Sequence, residues 1–248
     1  MSVVSVILAG GFGTRLGQVV RDVPKPMIEV AGAPFLEWVL RFLEANGLDR
    51  HVVCTGYRGE VIEDFIARRD GGRGLGRCIR EEEPLGTGGA FLRAARTFEA
   101  ALHPEAWLVL NGDSLILTPL APLLALVPDR QWQGGLLGIE MADASRYGSL
   151  EVNARGGLAC FKEKAPGAGL INGGLYLFKK RILDSLHGGP RLSMEEEMFP
   201  FFLRRQMEFR VIAVEAPFID IGTPASLAEA DAFIRTHQPA FQRAATAS

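Results

Sequence analysis

The sequence predicts an α/β fold built on one continuous sheet, and three observations carry that expectation. Up to about residue 130, short β-branched strands alternate with helical stripes, the signature of a parallel sheet covered on both faces. Beyond that point strands follow one another through short connections, so the second half reads as more antiparallel. No internal repeat and no Pro/Ser-rich linker breaks the chain.

The elements follow in order. Residues 3–8 form a buried strand that enters the glycine loop Gly10-Gly11-Phe12-Gly13. Pro34 opens a helix with Phe35, Leu36, Val39, Leu40 and Leu43 on one face, and Asn46-Gly47 ends it as a left-handed cap would. Residues 51–55 are the next strand, and Val61, Ile62, Phe65 and Ile66 stripe the next helix. Residues 68–77 read as a basic, solvated surface loop. A strand at 78–81, a loop at 82–89 and a helix at 90–101 come next; the strand at 106–110 then ends in Asn111-Gly112-Asp113.

In the second half, 134–141, 149–153, 158–163 and 170–178 read as strands, with residues 154–157 as a hairpin turn. Ser193 and Glu196 make a capping-box pattern before Met198 and Phe199. A late strand covers 209–214, and Thr223-Pro224 supplies the N-cap and first-turn proline of a final helix to about Thr236. Periodicity stops after Gln238, so 239–248 read as a frayed tail.

Composition bounds the function. The 48% hydrophobic and 23% charged content is that of a globular protein with a substantial core. A net charge of -2 gives no electrostatic footprint for nucleic acid or an anionic membrane, so any phosphate site must be local. Cys54, Cys78 and Cys160 lack metal-ligand spacing and read as reduced thiols. No apolar run reaches the ~18–20 residues of a membrane span, and the first residues lack the basic start of a signal peptide. The expectation is a soluble, cytoplasmic protein. His51, His103, His187 and His237 share no pattern, and no Ser/His/Asp or Cys/His nucleophile arrangement is visible.

The chemistry concentrates in a few motifs. Gly10-Gly11-Phe12-Gly13-Thr14-Arg15-Leu16 lets backbone N–H groups approach phosphate oxygens, with Arg15 as a forked cation. Pro24-Lys25-Pro26 follows and sets a point charge on a stiffened segment. The loop is neither a Walker A sequence nor a dinucleotide-binding G-x-G-x-x-G. Asn111-Gly112-Asp113 and Asp220 place carboxylates at two strand ends far apart in sequence, an arrangement suited to Mg²⁺ with phosphate oxygens as its other ligands.

Leu8-Ala9-Gly10-Gly11-Phe12-Gly13-Thr14-Arg15-Leu16 with Pro24-Lys25-Pro26-Met27 resembles the signature of the sugar-1-phosphate nucleotidyltransferases. Within that family the chain is most similar to D-glycero-α-D-manno-heptose 1-phosphate guanylyltransferases, with mannose-1-phosphate guanylyltransferases as near relatives. The resemblance runs from residue 3 to about 234. It implies a three-layer, Rossmann-like nucleotidyltransferase fold with a mixed, mostly parallel central sheet. It also implies one domain over 1–238, its nucleotide-binding half reaching about residue 130 and its sugar-phosphate-binding half following. Gly17-Gln18-Val19-Val20 departs from the Pro-Leu-Thr common at that point.

Carried onto this sequence, the resemblance makes Arg15 and Lys25 catalytic. Leu8, Ala9, Gly10, Gly11, Gly13, Thr14, Gly86 and Thr87 become nucleotide-binding, and Asp113 and Asp220 the Mg²⁺ ligands. Glu81 falls where the family reads the base edge. A carboxylate only accepts hydrogen bonds, and guanine offers neighbouring N1–H and 2-amino donors, so Glu81 points to GTP. Glu82 and Glu83 read as a solvated turn. Tyr147, Gly148, Glu163, Lys164, Asn172 and Gly173 match segments that enclose the sugar phosphate, with Lys164 on the phosphate and Glu163 and Asn172 on hydroxyls; Tyr176 reads as core.

The expected partners are therefore GTP and a sugar 1-phosphate, without nucleic acid or membrane. The sequence sets no oligomeric state and leaves a homodimer open. The expected product serves surface-glycan synthesis. Mannose 1-phosphate with GTP, or UTP with another sugar phosphate, are the alternatives in class. A non-catalytic nucleotide-sugar sensor is an alternative outside it, yet the chain keeps the arginine, lysine and aspartates that such proteins often lose. Ser114-Leu115 after Asp113 disfavours the D-x-D motif of glycosyltransferases.

Overall fold

The computed structural model describes residues 2–11, 13, 16, 23–162, 166–186 and 191–242. The chain forms two compact units interleaved in sequence: residues 4–84, 111–117 and 218–248 in one, and 1–3, 85–110 and 118–217 in the other.

In the first of these, strands Val3–Ala9, His51–Thr55 and Gly76–Arg80 pair in parallel. His51–Thr55 is buried at every position, as a strand covered on both faces must be. Ala9 aligns with Thr55 and Thr55 with Arg80, so Gly10, Gly56 and Glu81 leave the sheet together at the carboxyl ends of the strands. That edge is where open α/β sheets bind ligands.

Helix Phe35–Ala45 buries Phe35, Leu36, Trp38, Val39, Leu40, Phe42 and Leu43. Gly47, at φ +79°, stops it, and Leu48 N–H returns to Leu43 O at 3.0 Å. Helix Gly59–Asp70 buries Ile62 and Ile66, while Val61 and Phe65 are half-buried, so its apolar stripe is narrower than the sequence suggests.

The basic segment differs from expectation. Arg68 and Arg69 belong to that helix, and Arg69 is clamped by Glu37 at 2.6 Å and Glu44 at 2.7 Å. Carboxylates on the neighbouring helix, distant in sequence, draw it out of solvent.

Ser114–Ile116, a short strand the sequence does not signal, pairs antiparallel with Phe218–Asp220, which ends at Asp220 as expected. Helix Pro224–Thr236 then starts from Thr223, whose hydroxyl and that of Ser226 satisfy each other's backbone N–H at 3.2 Å. The chain stays packed beyond Gln238: Phe241 is buried edge-on against Trp38, with centroids 5.3 Å apart.

The other unit is organised around strand Gly169–Lys179. It pairs antiparallel with Ala106–Asn111 and Gly134–Met141, and Gly134–Met141 pairs parallel with Phe209–Val214. Ser149–Val152 and Leu158–Lys162 form the expected hairpin, turning through Gly156 at φ +77°. The register breaks between Asn172 and Tyr176, where Gly174 takes φ +67°. Phe178, Phe199, Phe202 and Phe209 form a fully buried aromatic cluster that Tyr176 joins through Phe178 and Phe199, and each such ring contributes about 1.5–3 kcal/mol by burial.

Helix Gly86–Leu102 begins four residues before the predicted start. Leu192 O accepts from both Gly88 N and Gly89 N, at 2.9 and 3.1 Å, and so caps the first turn from a remote segment. Propensity over four residues with three glycines gave no hint of that acceptor.

Candidate active site

The glycine loop is built by close backbone approach. A Cβ on Gly56 would stand 2.5 Å from Gly10 O and 2.9 Å from Gly10 Cα. A Cβ on Gly10 would collide with the Glu81 carboxylate, so Glu81 lies directly against the loop. Its backbone is fixed as well, since Glu81 N donates to Thr55 O at 2.7 Å. Glu82 and Glu83 are exposed, as expected of a solvated turn. Gly13 adopts φ +62°, a conformation that favours glycine. Gly11 faces open space on its Cα side.

Lys25 opens a short 3₁₀ turn after Pro24, closed by Met27 N–H to Pro24 O at 2.8 Å. Its ammonium reaches Asp113 Oδ2 at 2.5 Å. Asp113 Oδ1 accepts from Ser114 Oγ at 3.1 Å. Asp220 pairs with Ser114 across the two-stranded ladder, and Ile221 N donates to Asp113 O at 2.9 Å. Two acids 107 positions apart, from 113 to 220, are thus brought together, Asp113 in the turn just before strand Ser114–Ile116 and Asp220 on the strand paired with it.

Asp220 Oδ1 accepts from Gly222 N at 2.9 Å. A Cβ on Gly222 would lie 2.5 Å from that oxygen and 3.3 Å from Lys25 Nζ. Lysine and both acids therefore converge around a glycine that leaves them room. The lysine side chain is only 14% exposed, which strengthens its pull on Asp113 above that of a surface pair. Asp113 and Asp220 carry hard oxygens that could share a divalent cation. Among the described residues no group of three or more His, Cys, Asp or Glu is arranged to hold a metal ion, and a magnesium site that takes most ligands from phosphate and water needs none.

The other unit holds a second polar cluster. Gly86 at φ +72° passes so close to Leu192 that a Cβ would lie 2.6 Å from its carbonyl oxygen. Thr87 Oγ1 accepts from Met194 N at 2.8 Å and stands 3.5 Å from Glu195 Oε2. Tyr176, 1% exposed, donates to Glu195 Oε1 at 2.6 Å and accepts from Asn172 Nδ2 at 2.7 Å. Burial, and then the Glu195 charge, push the Tyr176 hydroxyl pKa well above its ordinary value, so it stays a donor. Asn172 Oδ1 accepts from Gly174 N at 3.1 Å, and Asn172 N donates to Gly148 O at 2.9 Å. Gly173 is buried beside them, and Tyr147 carries the Arg146 guanidinium 5.5 Å over its ring.

Sequence reasoning missed Glu195. It took the Ser193 segment as a simple cap, and Ser193 Oγ does accept from Glu196 N at 3.2 Å. The reciprocal bond comes from Glu197, at 2.7 Å, because Met194–Met198 winds as a wider π turn. Asn172 and Tyr176 stand four apart in strand Gly169–Lys179, and their side chains meet although the register breaks between them. Phe12, Thr14, Arg15, Glu163 and Lys164 lie outside the described residues.

The chain belongs to the nucleotidyl transferase family, whose model matches residues 4–237. Its fold is the mixed-sheet, Rossmann-like nucleotidyltransferase fold that the sequence implies. HddC from Yersinia pseudotuberculosis, solved complexed with GMP-PN, superposes with TM-score 0.80 at 33% identity, covering 94% of this chain and 99% of that one. D-glycero-alpha-D-manno-heptose 1-phosphate guanylyltransferase of Aneurinibacillus thermoaerophilus is 34% identical over 224 residues, 89% of this chain and 93% of that protein. Mannose-1-phosphate guanylyltransferase of Mycobacterium tuberculosis is 33% identical over 204 residues, 80% of this chain but 55% of that protein. Among the described residues no helix is long and apolar enough to cross a membrane.

Proposed function

We propose that this chain transfers GMP from GTP to D-glycero-α-D-manno-heptose 1-phosphate, giving the GDP-sugar and pyrophosphate. The observation that carries the reading is the convergence of Lys25, Asp113 and Asp220 at the end of the glycine-loop sheet. Glu81 against Gly10 supports guanine, and the relatives' names support both the nucleotide and the sugar.

In this reading an oxygen of the sugar 1-phosphate attacks the α-phosphorus of GTP in line. The bond from that phosphorus to the β-bridging oxygen breaks, and pyrophosphate leaves with the electron pair. The attacking phosphate is already ionised at neutral pH, so no side chain needs to take a proton. Catalysis is positioning plus electrostatics. Lys25 and Arg15 neutralise the triphosphate and the departing pyrophosphate. Asp113 and Asp220 hold Mg²⁺, which when bound supplies charge neutralisation on phosphate oxygens. The Gly10–Gly13 backbone and Thr14 receive phosphate, Leu8, Ala9, Gly86 and Thr87 serve the nucleoside, and Lys164 holds the attacking phosphate. Tyr147, Gly148, Glu163, Asn172 and Gly173 take the sugar. With GTP as substrate, the enzyme works in the cytoplasm and feeds surface-polysaccharide assembly.

Mannose 1-phosphate is the second reading, favoured by the Mycobacterium tuberculosis relative. Heptose and mannose share ring stereochemistry and differ at the exocyclic carbon. The test is pyrophosphate release with Mg²⁺, each nucleoside triphosphate and a panel of sugar 1-phosphates. Release with GTP and the heptose 1-phosphate, above that with mannose 1-phosphate or UTP, supports the reading. No release with any pair defeats it in favour of a sensor.

A further inference from the structure

We infer that Glu195 is a positioning residue for sugar recognition, acting through the buried Tyr176 hydroxyl to fix which way the Asn172 amide faces. The inference rests on the assignment of Asn172 to the sugar. An asparagine side chain can present either its oxygen or its nitrogen to a ligand, and the two orientations have nearly the same shape. A sugar hydroxyl reads them differently. Something must therefore decide between them.

The direction of the hydrogen bonds decides it. An ionised carboxylate only accepts, so the 2.6 Å contact between Tyr176 Oη and Glu195 Oε1 uses the tyrosine proton. The Tyr176 oxygen, 2.7 Å from Asn172, is then left to accept, and Asn172 must offer Nδ2. Asn172 Nδ2 also faces the second acceptor in reach, Glu195 Oε1, at 3.4 Å. Gly174 N–H, at 3.1 Å, makes the matching demand for Oδ1 on the opposite side of the amide. One carboxylate thus orders a chain of donors that ends at Asn172. What remains of Oδ1 is an acceptor, suited to a hydroxyl donor on a sugar ring.

Burial makes the ordering strict. Tyr176 is 1% exposed, so no bulk water competes for its proton, and an unmade bond there is costly. The carboxylate is fixed in turn from its other oxygen. Glu195 Oε2 meets Ser193 Oγ at 3.4 Å and Thr87 Oγ1 at 3.5 Å, and the Thr87 hydroxyl has Met194 N–H on its acceptor side at 2.8 Å. The π turn Met194–Met198 carries the glutamate, and such turns recur where a side chain must be aimed out of helical register.

Steady-state kinetics on the wild-type enzyme, Tyr176→Phe, Glu195→Gln, the double variant and Asn172→Ala test this, with GTP and the sugar 1-phosphate that the wild type turns over. Tyr176→Phe keeps the ring in its aromatic cluster and removes only the relay. It is expected to raise KM for the sugar 1-phosphate about tenfold, with a smaller change in kcat and KM for GTP unmoved, the size of one lost hydrogen bond to a charged chain. Glu195→Gln is expected to raise the same KM by a similar factor, since its amide can face either way. The double variant is expected to match the worse single variant, because both break one chain. An unchanged sugar KM in Tyr176→Phe and Glu195→Gln, beside a raised one in Asn172→Ala, overturns the inference alone. Equal rises in both KM values, or multiplying effects in the double variant, overturn it as well. An unchanged sugar KM in Asn172→Ala removes the sugar assignment beneath it.

Discussion

Lys25 is the clearest single residue in the molecule. Its ammonium is largely enclosed and lies 2.5 Å from Asp113, so removing it takes a cation from beside Asp113. Replacing Lys25 or Arg15 by alanine is expected to lower turnover by about a hundredfold or more, the typical cost of one lost transition-state charge partner. Pyrophosphate release under saturating substrates checks this, and near-normal turnover in either variant removes that residue from the chemistry. Glu81 is the residue proposed to read the base. Glu81→Gln gives the base site an amide, so the preference for GTP over UTP should narrow while turnover with GTP persists. An unchanged ratio of kcat/KM values would place Glu81 outside the base site.

Much of this was legible residue by residue. Gly10, Gly13, Lys25, Asp113 and Asp220 each announce themselves through local motifs, and the structure brings Lys25, Asp113 and Asp220 together. Glu195 was not legible, because its role depends on a tyrosine 19 positions away and on an irregular turn. A string of three glutamates after a serine reads locally as a cap and nothing more.

Among elements, the two helices Phe35–Ala45 and Gly59–Asp70 are tied by an ion-pair clamp. Burial works against the Glu44 charge, yet His51 and Arg69 outweigh it and hold its pKa at about 2, below the ordinary 4.5. His51 Nε2 is 3.9 Å from Glu44 and Arg69 Nη1 is 2.7 Å, so the guanidinium has the firmer hold. A carboxyl depressed in the folded state stabilises it fully above its unfolded pKa, and that contribution is lost as pH falls through the folded value. Glu44→Gln should therefore unfold at a lower temperature than wild type at neutral pH. The gap should close between about pH 5 and pH 2. A gap that stays constant over that range would show that Glu44 holds no such charge-dependent contact. At the final helix, Thr223→Ala removes the cap at the Asp220 side and should cost about 1 kcal/mol in denaturant unfolding. No loss would mean that Pro224 alone starts the helix.

Element existence was well signalled wherever hydrophobic period was strong: His51–Thr55, Gly134–Met141 and Phe209–Val214 match their predicted bounds. Two of the departures share a physical cause. Ser114–Ile116 and Phe218–Asp220 are three residues each and exist through one another, and helix Gly86–Leu102 starts early through Leu192 O. Partners separated by about a hundred positions leave no trace in a local window.

For the whole molecule, a net charge of -2 fits the proposal that phosphate recognition is local to Lys25 rather than spread over a surface. Family membership over residues 4–237 agrees with motifs that recur from the first strand to the last helix. Lys25, Asp113 and Asp220 are proposed to serve the phosphates of a bound nucleotide. A crystal structure with a non-hydrolysable GTP analogue and Mg²⁺ tests this most directly. The expected result is a metal ion held by Asp113 and Asp220 beside the phosphates, with Lys25 on the triphosphate; a nucleotide bound with these three side chains turned away from its phosphates would refute the proposal.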